Sequence, residues 1–198
     1  MSHFSPELHA LLAELESFGS THDAGEPQRA KKMLNLDRAT AEVVDLLLRL
    51  GSRRSILEIG TSNGYSTIWL ALAAAANDGS VVSIDRSAEK QAMARANLER
   101  ANVLDRVTLR CGDATELIRS LAGTFDAVLF DADRVTATEQ LELLLPRLSG
   151  DALVLTDNVL SHPAEVAAYL ADVQRRPEFI SVVIPVGKGL HVAYRLRG

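Results

Sequence analysis

The sequence predicts a doubly wound α/β fold, a mainly parallel sheet with helices on both faces. Three observations predict it. Short apolar runs alternate with stretches of helical periodicity, the rhythm of βαβ units with right-handed crossovers. Each run of the parallel set ends in acid, at the edge where doubly wound sheets bind their ligands. The last two runs are separated only by Gly187-Lys188-Gly189, which fits an antiparallel hairpin at the edge of the sheet.

Taken in order, Leu8, Leu11, Leu12 and Leu15 recur at helical spacing, as do Val43, Val44, Leu47 and Leu48, so two helices precede the first strand. The polar stretch 19–28, with two glycines and a proline, is expected to be the loop between them. The first strand is Ser55-Ile56-Leu57-Glu58-Ile59-Gly60, followed by a helix over 65–76. Ser80–Asp85 is the second strand, and a helix over 87–101 follows, with Ser87 placed to cap it. Strands over Val107–Cys111, Phe125–Phe130 and 152–156 alternate with helices over 114–121 and 139–148. The hairpin strands are 179–186 and 190–196. Cys111, Ile68 and Trp69 are expected in the core, and Met33 and Leu34 either close over a ligand or simply pack.

At 198 residues the chain is long enough for one domain: a helical arm or lid over 1–50 and a core over 51–198. A net charge of −5 repels polyanions, and one Trp, three Tyr and five Phe make a poor base-stacking platform, so nucleic acid is not an expected partner. The apolar run from Ile68 to Ala76 is far too short to span a bilayer. The first residues show no basic region followed by an apolar one, and the single cysteine excludes an intrachain disulfide framework. A cytoplasmic protein without membrane contact is expected.

The acidic strand ends carry the chemistry. They are Glu58 with Gly60, Asp85, Gly112-Asp113, Asp131 with Asp133, and Asp157-Asn158. The loop Gly60-Thr61-Ser62-Asn63-Gly64-Tyr65 has Ser62 and Tyr65 where a dinucleotide fold needs its second and third glycines. A side chain thus stands where a pyrophosphate must approach the backbone, which disfavours NAD and FAD. S-adenosylmethionine has no phosphate; it needs a glycine bend and carboxylates for its ammonium and ribose hydroxyls. Asp85, at the end of the adjacent strand, is placed to accept from both hydroxyls.

The run Leu57-Glu58-Ile59-Gly60-Thr61-Ser62-Asn63-Gly64-Tyr65-Ser66-Thr67, then Gly112-Asp113-Ala114, Phe125-Asp126 through Asp131-Ala132-Asp133, and Asp157-Asn158-Val159-Leu160 resembles the catechol and caffeoyl-coenzyme A O-methyltransferase family. The likeness is collinear from about residue 30 and includes Gly187-Lys188-Gly189-Leu190. It implies a Rossmann-like class I methyltransferase sheet of seven strands, the last antiparallel, and a homodimer. It also implies methyl transfer from S-adenosylmethionine to a hydroxyl of a small catechol-like aromatic. Its cofactor site maps onto Glu58, Gly60, Thr61, Ser66, Asp85, Arg86, Asp113, Ala114 and Asp131.

The same resemblance assigns Asp131, Asp157 and Asn158 to a divalent cation, Mg²⁺ or else Mn²⁺ or Ca²⁺. Two carboxylates and an amide are hard oxygen donors that leave positions for water and for two substrate oxygens. The chain departs from the family pattern where a lysine base is usual: it has Arg134, which stays protonated and can only position an anionic oxygen. Val135-Thr136-Ala137-Thr138 replaces the usual tyrosine, and Lys188 the usual aspartate. Asp131 and Arg134 are therefore the catalytic candidates, with His162 as an alternative base or an ordinary loop residue. Competing readings are a metal-independent methyltransferase, a nicotinamide-dependent oxidoreductase and a non-catalytic cofactor-binding protein.

Overall fold

The computed structural model describes residues 4–197. Residues 1–3, part of the start expected to lack a signal sequence, lie outside the described residues, as does residue 198. Two helices, α1 (Pro6–Gly25) and α2 (Arg38–Leu50), lead into β1 (Ser55–Ile59), α3 (Tyr65–Ala75), β2 (Ser80–Asp85), α4 (Ala88–Arg100) and β3 (Val107–Cys111). Then come α5 (Ala114–Ser120), β4 (Phe125–Phe130), α6 (Ala137–Leu144), β5 (Leu148–Thr156), α7 (Pro163–Arg175), β6 (Phe179–Ile184) and β7 (Leu190–Arg195). The sheet order is β3-β2-β1-β4-β5-β7-β6. Six strands run one way, and β7 lies antiparallel between β5 and β6, so the expected hairpin forms with β6 as the outer strand.

Strand alternation divides the core into two layers. Ile56, Val81, Leu129 and Leu155 face one side, where they meet Leu12, Val44, Leu48 and Ile68 from α1, α2 and α3. Leu57, Ile59, Ile84 and Val128 face the other and meet Ile118, Leu141 and Tyr169 from α5, α6 and α7. Because β1 is covered on both faces, it is apolar after Ser55 except at Glu58. Its start is held from across the sheet by Asp126, whose two oxygens accept from Arg54 N at 2.8 Å and Ser55 N at 3.0 Å.

Four expectations need correction. Residues 19–25 continue α1 instead of forming a loop: Gly19 costs a helix only about 1 kcal/mol. Its missing side chain leaves room for Asn35, whose amide stands 2.6 Å from where a Cβ would be and donates to Leu15 O at 2.9 Å. The helix expected over 139–148 ends at Leu144, because Pro146 in the following 3-10 turn has no amide hydrogen, and β5 begins earlier, at Leu148. Residues 163–175, for which the alternation predicted no element, form α7 and complete the crossover from β5 to β6. Cys111 is exposed, since it ends the outer strand β3.

Candidate active site

A cavity of about 630 Å³ opens over the carboxyl ends of the parallel strands. Gly60 turns the chain out of β1 at φ +114, and a Cβ there would lie 2.3 Å from Asp131 O. The close approach brings the ends of β1 and β4 together and sets Asp131 beside the glycine loop. From the end of β2, Asp85 accepts from Ser62 N at 2.8 Å through one oxygen and from Ser87 N at 2.9 Å through the other. Its carboxylate is thus fixed by two backbone amides, lines the cavity and keeps lone pairs to accept further hydrogen bonds. Arg86, Asp113 and Ala114 complete that wall; Asp113 also caps α5 by accepting from Glu116 N at 3.2 Å.

Glu58 lies behind the lining and is fully buried. It accepts from Ser66 Oγ at 2.6 Å, Thr67 Oγ1 at 2.5 Å and Ser83 Oγ at 2.5 Å. Gln91 Nε2 donates to Thr61 Oγ1 at 3.0 Å, and Thr61 Oγ1 in turn lies 2.6 Å from Ser83 Oγ, so a line of hydroxyls links the glycine loop to Glu58. Burial pushes its carboxyl up to about 7 despite these donors. A folded-state value above the unfolded one means that the native protein holds more protons between about pH 4.5 and pH 7, so stability falls as pH rises through that window. Glu58→Gln is expected to make the decline of the urea midpoint from pH 5 to pH 8 shallower; an unchanged slope would contradict the assignment.

The roof was only half legible in the sequence. Asp23, near the end of α1, accepts from Met33 N at 2.6 Å and Leu34 N at 2.8 Å, while Ser62 Oγ donates to Met33 O at 2.7 Å. Lys90 Nζ donates to Lys32 O at 2.5 Å. Segment 29–36 is therefore tied to α1, to the glycine loop and to α4, and lines the cavity from above. No motif signalled Asp23, because its partners lie in a segment without regular structure.

At the far end Asp131 and Asn158 line the cavity, and Asp157 lies just behind it. Asn158 Nδ2 donates to Asp131 Oδ1 at 3.3 Å. Asp157 is almost wholly buried, and its Oδ1 has no hydrogen-bond partner. Burial raises its carboxyl to about 6, and burial with the neighbouring Asp157 and Glu58 charges raises that of Asp131. Two such carboxylates, one with an orphaned oxygen, suit a divalent cation. Among the described residues no three acidic, histidine or cysteine side chains are placed to hold a metal ion together, so a cation here would need the Asn158 amide as a further donor.

Arg134 reaches the same end but is not free. Its Nε and Nη2 both bond Glu165 Oε2, at 2.9 and 2.7 Å, in a buried position. Glu165 belongs to α7, so no local signal announces the pair. His162 also lines the cavity, with Nδ1 2.8 Å from Ser161 Oγ. Trp69 and Ile68 are core residues, as expected.

The model of the O-methyltransferase family matches residues 2–196. A catechol O-methyltransferase of Niastella koreensis is 32% identical over 155 residues, 76% of this chain and 66% of that protein. A catechol O-methyltransferase of Mycobacterium tuberculosis is 39% identical over 108 residues, 54% of this chain and 49% of that one. The chain thus spans less than two thirds of the length of either relative. The solved structure of an O-methyltransferase from Bacillus cereus in complex with SAH superposes with a TM-score of 0.81 at 26% identity, covering 94% of this chain and 90% of that chain. With the seven-stranded sheet, its antiparallel last strand and a family match along nearly the whole length, the chain belongs to the O-methyltransferase family.

Proposed function

We propose that the protein is an S-adenosylmethionine-dependent O-methyltransferase acting on a hydroxyl of a small catechol-like aromatic with the help of a divalent cation. One observation carries the reading. The amide-fixed Asp85 carboxylate and the Asp131–Asn158 pair open into one cavity, so a nucleoside and an oxygen-rich acceptor fit side by side. When bound, S-adenosylmethionine supplies an electrophilic methyl group, and the cation acidifies and orients the acceptor oxygens.

In this reading Asp85 accepts from the ribose hydroxyls, and Gly60, Thr61, Ser66, Arg86, Asp113 and Ala114 shape the nucleoside wall, with Glu58 bracing Ser66 from behind. Segment 29–36 acts as the lid that excludes water, within an N-terminal arm over 1–50. Asp131, Asp157 and Asn158 would hold the cation. Arg134, oriented by Glu165, fixes an acceptor oxygen by charge and cannot take its proton. A free phenol with a pKa near 10 needs such positive charge to ionise at neutral pH.

S-adenosylhomocysteine is expected to raise the melting temperature, and Asp85→Ala to weaken its binding by about 10- to 100-fold, the loss of one or two charged hydrogen bonds. Calorimetric titration checks both. Stabilisation by NADH in place of the methyl cofactor would sink the reading. Tight cofactor binding without turnover across a panel of catechols and labelled cofactor would point to the non-catalytic alternative.

A further inference from the structure

The acceptor end of the cavity is lined by cations from three separate elements: Arg29 from the roof, Arg134 from the turn after β4, and Lys188 from the β6–β7 turn. They are not equivalent. Arg134 is engaged by Glu165 through both nitrogens, and Arg29 acts on that same Glu165, helping to hold its carboxyl below the usual range. Lys188 differs. Its side chain is 45% exposed, the nearest carboxylate oxygen is Asp37 Oδ2 at 3.9 Å, and no hydrogen-bond acceptor reaches its ammonium among the described residues.

Its backbone, by contrast, is firmly held. Lys188 O accepts from Leu160 N at 3.0 Å and Ser161 N at 3.1 Å, and Val159 N donates to Gly189 O at 3.1 Å. Gly189, at φ +93, packs so closely on this loop that a Cβ would lie 2.5 Å from Leu160 Cγ. The turn is therefore stitched to the loop carrying Asp157 and Asn158, and Lys188 lines the same cavity as Asp131 and Asn158. Its charge is felt by both aspartates, favouring their ionised forms. Asp131 and Asp157, which feel its charge, are committed to the proposed cation, while Glu16, Asp23 and Asp37 share with Lys188 a second, smaller cavity. Among these Asp37 is the one within ion-pair distance, at its outer limit, whereas Glu16 is engaged by Arg38 and Tyr65 and Asp23 by the Met33 and Leu34 amides. A flexible ammonium on a fixed turn, beside an oxygen-binding pair, suits an anionic group of the acceptor.

We propose that Lys188 makes the acceptor site selective for aromatic diols that carry a carboxylate: the carboxylate pairs with the Lys188 ammonium while the diol oxygens face Asp131 and Asn158. The inference rests on the methyltransferase reading and narrows its substrate class. A neutral catechol makes only the second set of contacts.

The test compares 3,4-dihydroxybenzoate with catechol, by calorimetric binding to the protein loaded with S-adenosylhomocysteine and Mg²⁺ and by steady-state methylation. The wild type is expected to bind the carboxylated diol about tenfold more tightly, a preference that shrinks with added salt. Lys188→Gln is expected to cut the ratio to about twofold or less, with the loss in KM rather than kcat, and Lys188→Arg to keep most of it. Equal binding of the two diols, or a preference that survives Lys188→Gln, overturns this inference and leaves the methyltransferase reading standing. Failure to bind or methylate either diol overturns both.

Discussion

Gly60→Ala is expected to abolish binding of S-adenosylhomocysteine and to lower the melting temperature by roughly 10 °C. The added methyl would stand 2.3 Å from Asp131 O and 2.8 Å from its carbonyl carbon, both backbone atoms that cannot swing aside as a side chain would. A positive φ of +114 adds strain for any residue with a Cβ. Together these cost about 3 kcal/mol or more, and at this chain length each kcal/mol shifts the midpoint by about 2–4 °C. Relief comes only if β1 and β4 part at their carboxyl ends, which moves Asp131 away from the glycine loop and breaks the bond from Asp131 N to Ile59 O, 2.9 Å long in the wild type. Thermal melts with and without the ligand read both effects. A variant that melts normally and still gains stability from the ligand would show that the close approach at Gly60 is not what shapes the site.

The central strands were legible because each is a short apolar run buried on both faces, and the rim because the runs of the parallel set lead into acids that neither core layer can hold. The proposed nucleoside wall rests on the same logic: Asp85 sits where β2 ends, whatever the rest of the chain does. The local pattern was misleading at a glycine that serves packing and at a proline that outweighs the apolar spacing around it. Gly19 makes room for Asn35 inside a continuing helix, and Pro146 stops a helix whose apolar pattern runs on. In α7, Val166, Tyr169 and Val173 have the spacing of an amphipathic helix, so that element was readable from the sequence even though the alternation alone did not demand it. What sequence spacing cannot convey is a partner brought in by topology. Glu165 on Arg134, the three hydroxyls on Glu58, and Lys188 beside Asn158 join residues from elements that meet only once the sheet order is fixed. Residue type can suggest what Arg134 is unable to do; only the fold reveals that Glu165 holds it in place.

Asp157→Asn is expected to shift stability and activity in opposite directions. The wild-type carboxylate is almost wholly buried with one oxygen unpaired, and burial lifts its carboxyl from 3.8 to about 6. The folded-state value exceeds the unfolded one, so the native state binds more protons between those pH values and stability falls as pH rises through the window. Above about pH 6 the ionised group opposes folding in full, by something on the order of 1–3 kcal/mol. An isosteric amide removes that penalty without opening a cavity. At pH 7.5 without added cation the variant should therefore melt a few degrees above the wild type, and the two should converge near pH 4. If Asp157 helps to hold a divalent cation, Mg²⁺ should stabilise the wild type at pH 7.5, where the carboxylate is ionised, and stabilise it far less at pH 4.5. The variant should lose that response at both pH values and fall by about 100-fold or more in methylation, the scale expected when positive charge that stabilises the reacting oxygen is lost with the cation. Melting curves at the two pH values, with Mg²⁺ and with excess chelator, separate the contributions. A variant less stable than the wild type at pH 7.5 without cation would mean that the buried charge is compensated within the protein, and full wild-type turnover in excess chelator would remove the cation from the reaction altogether.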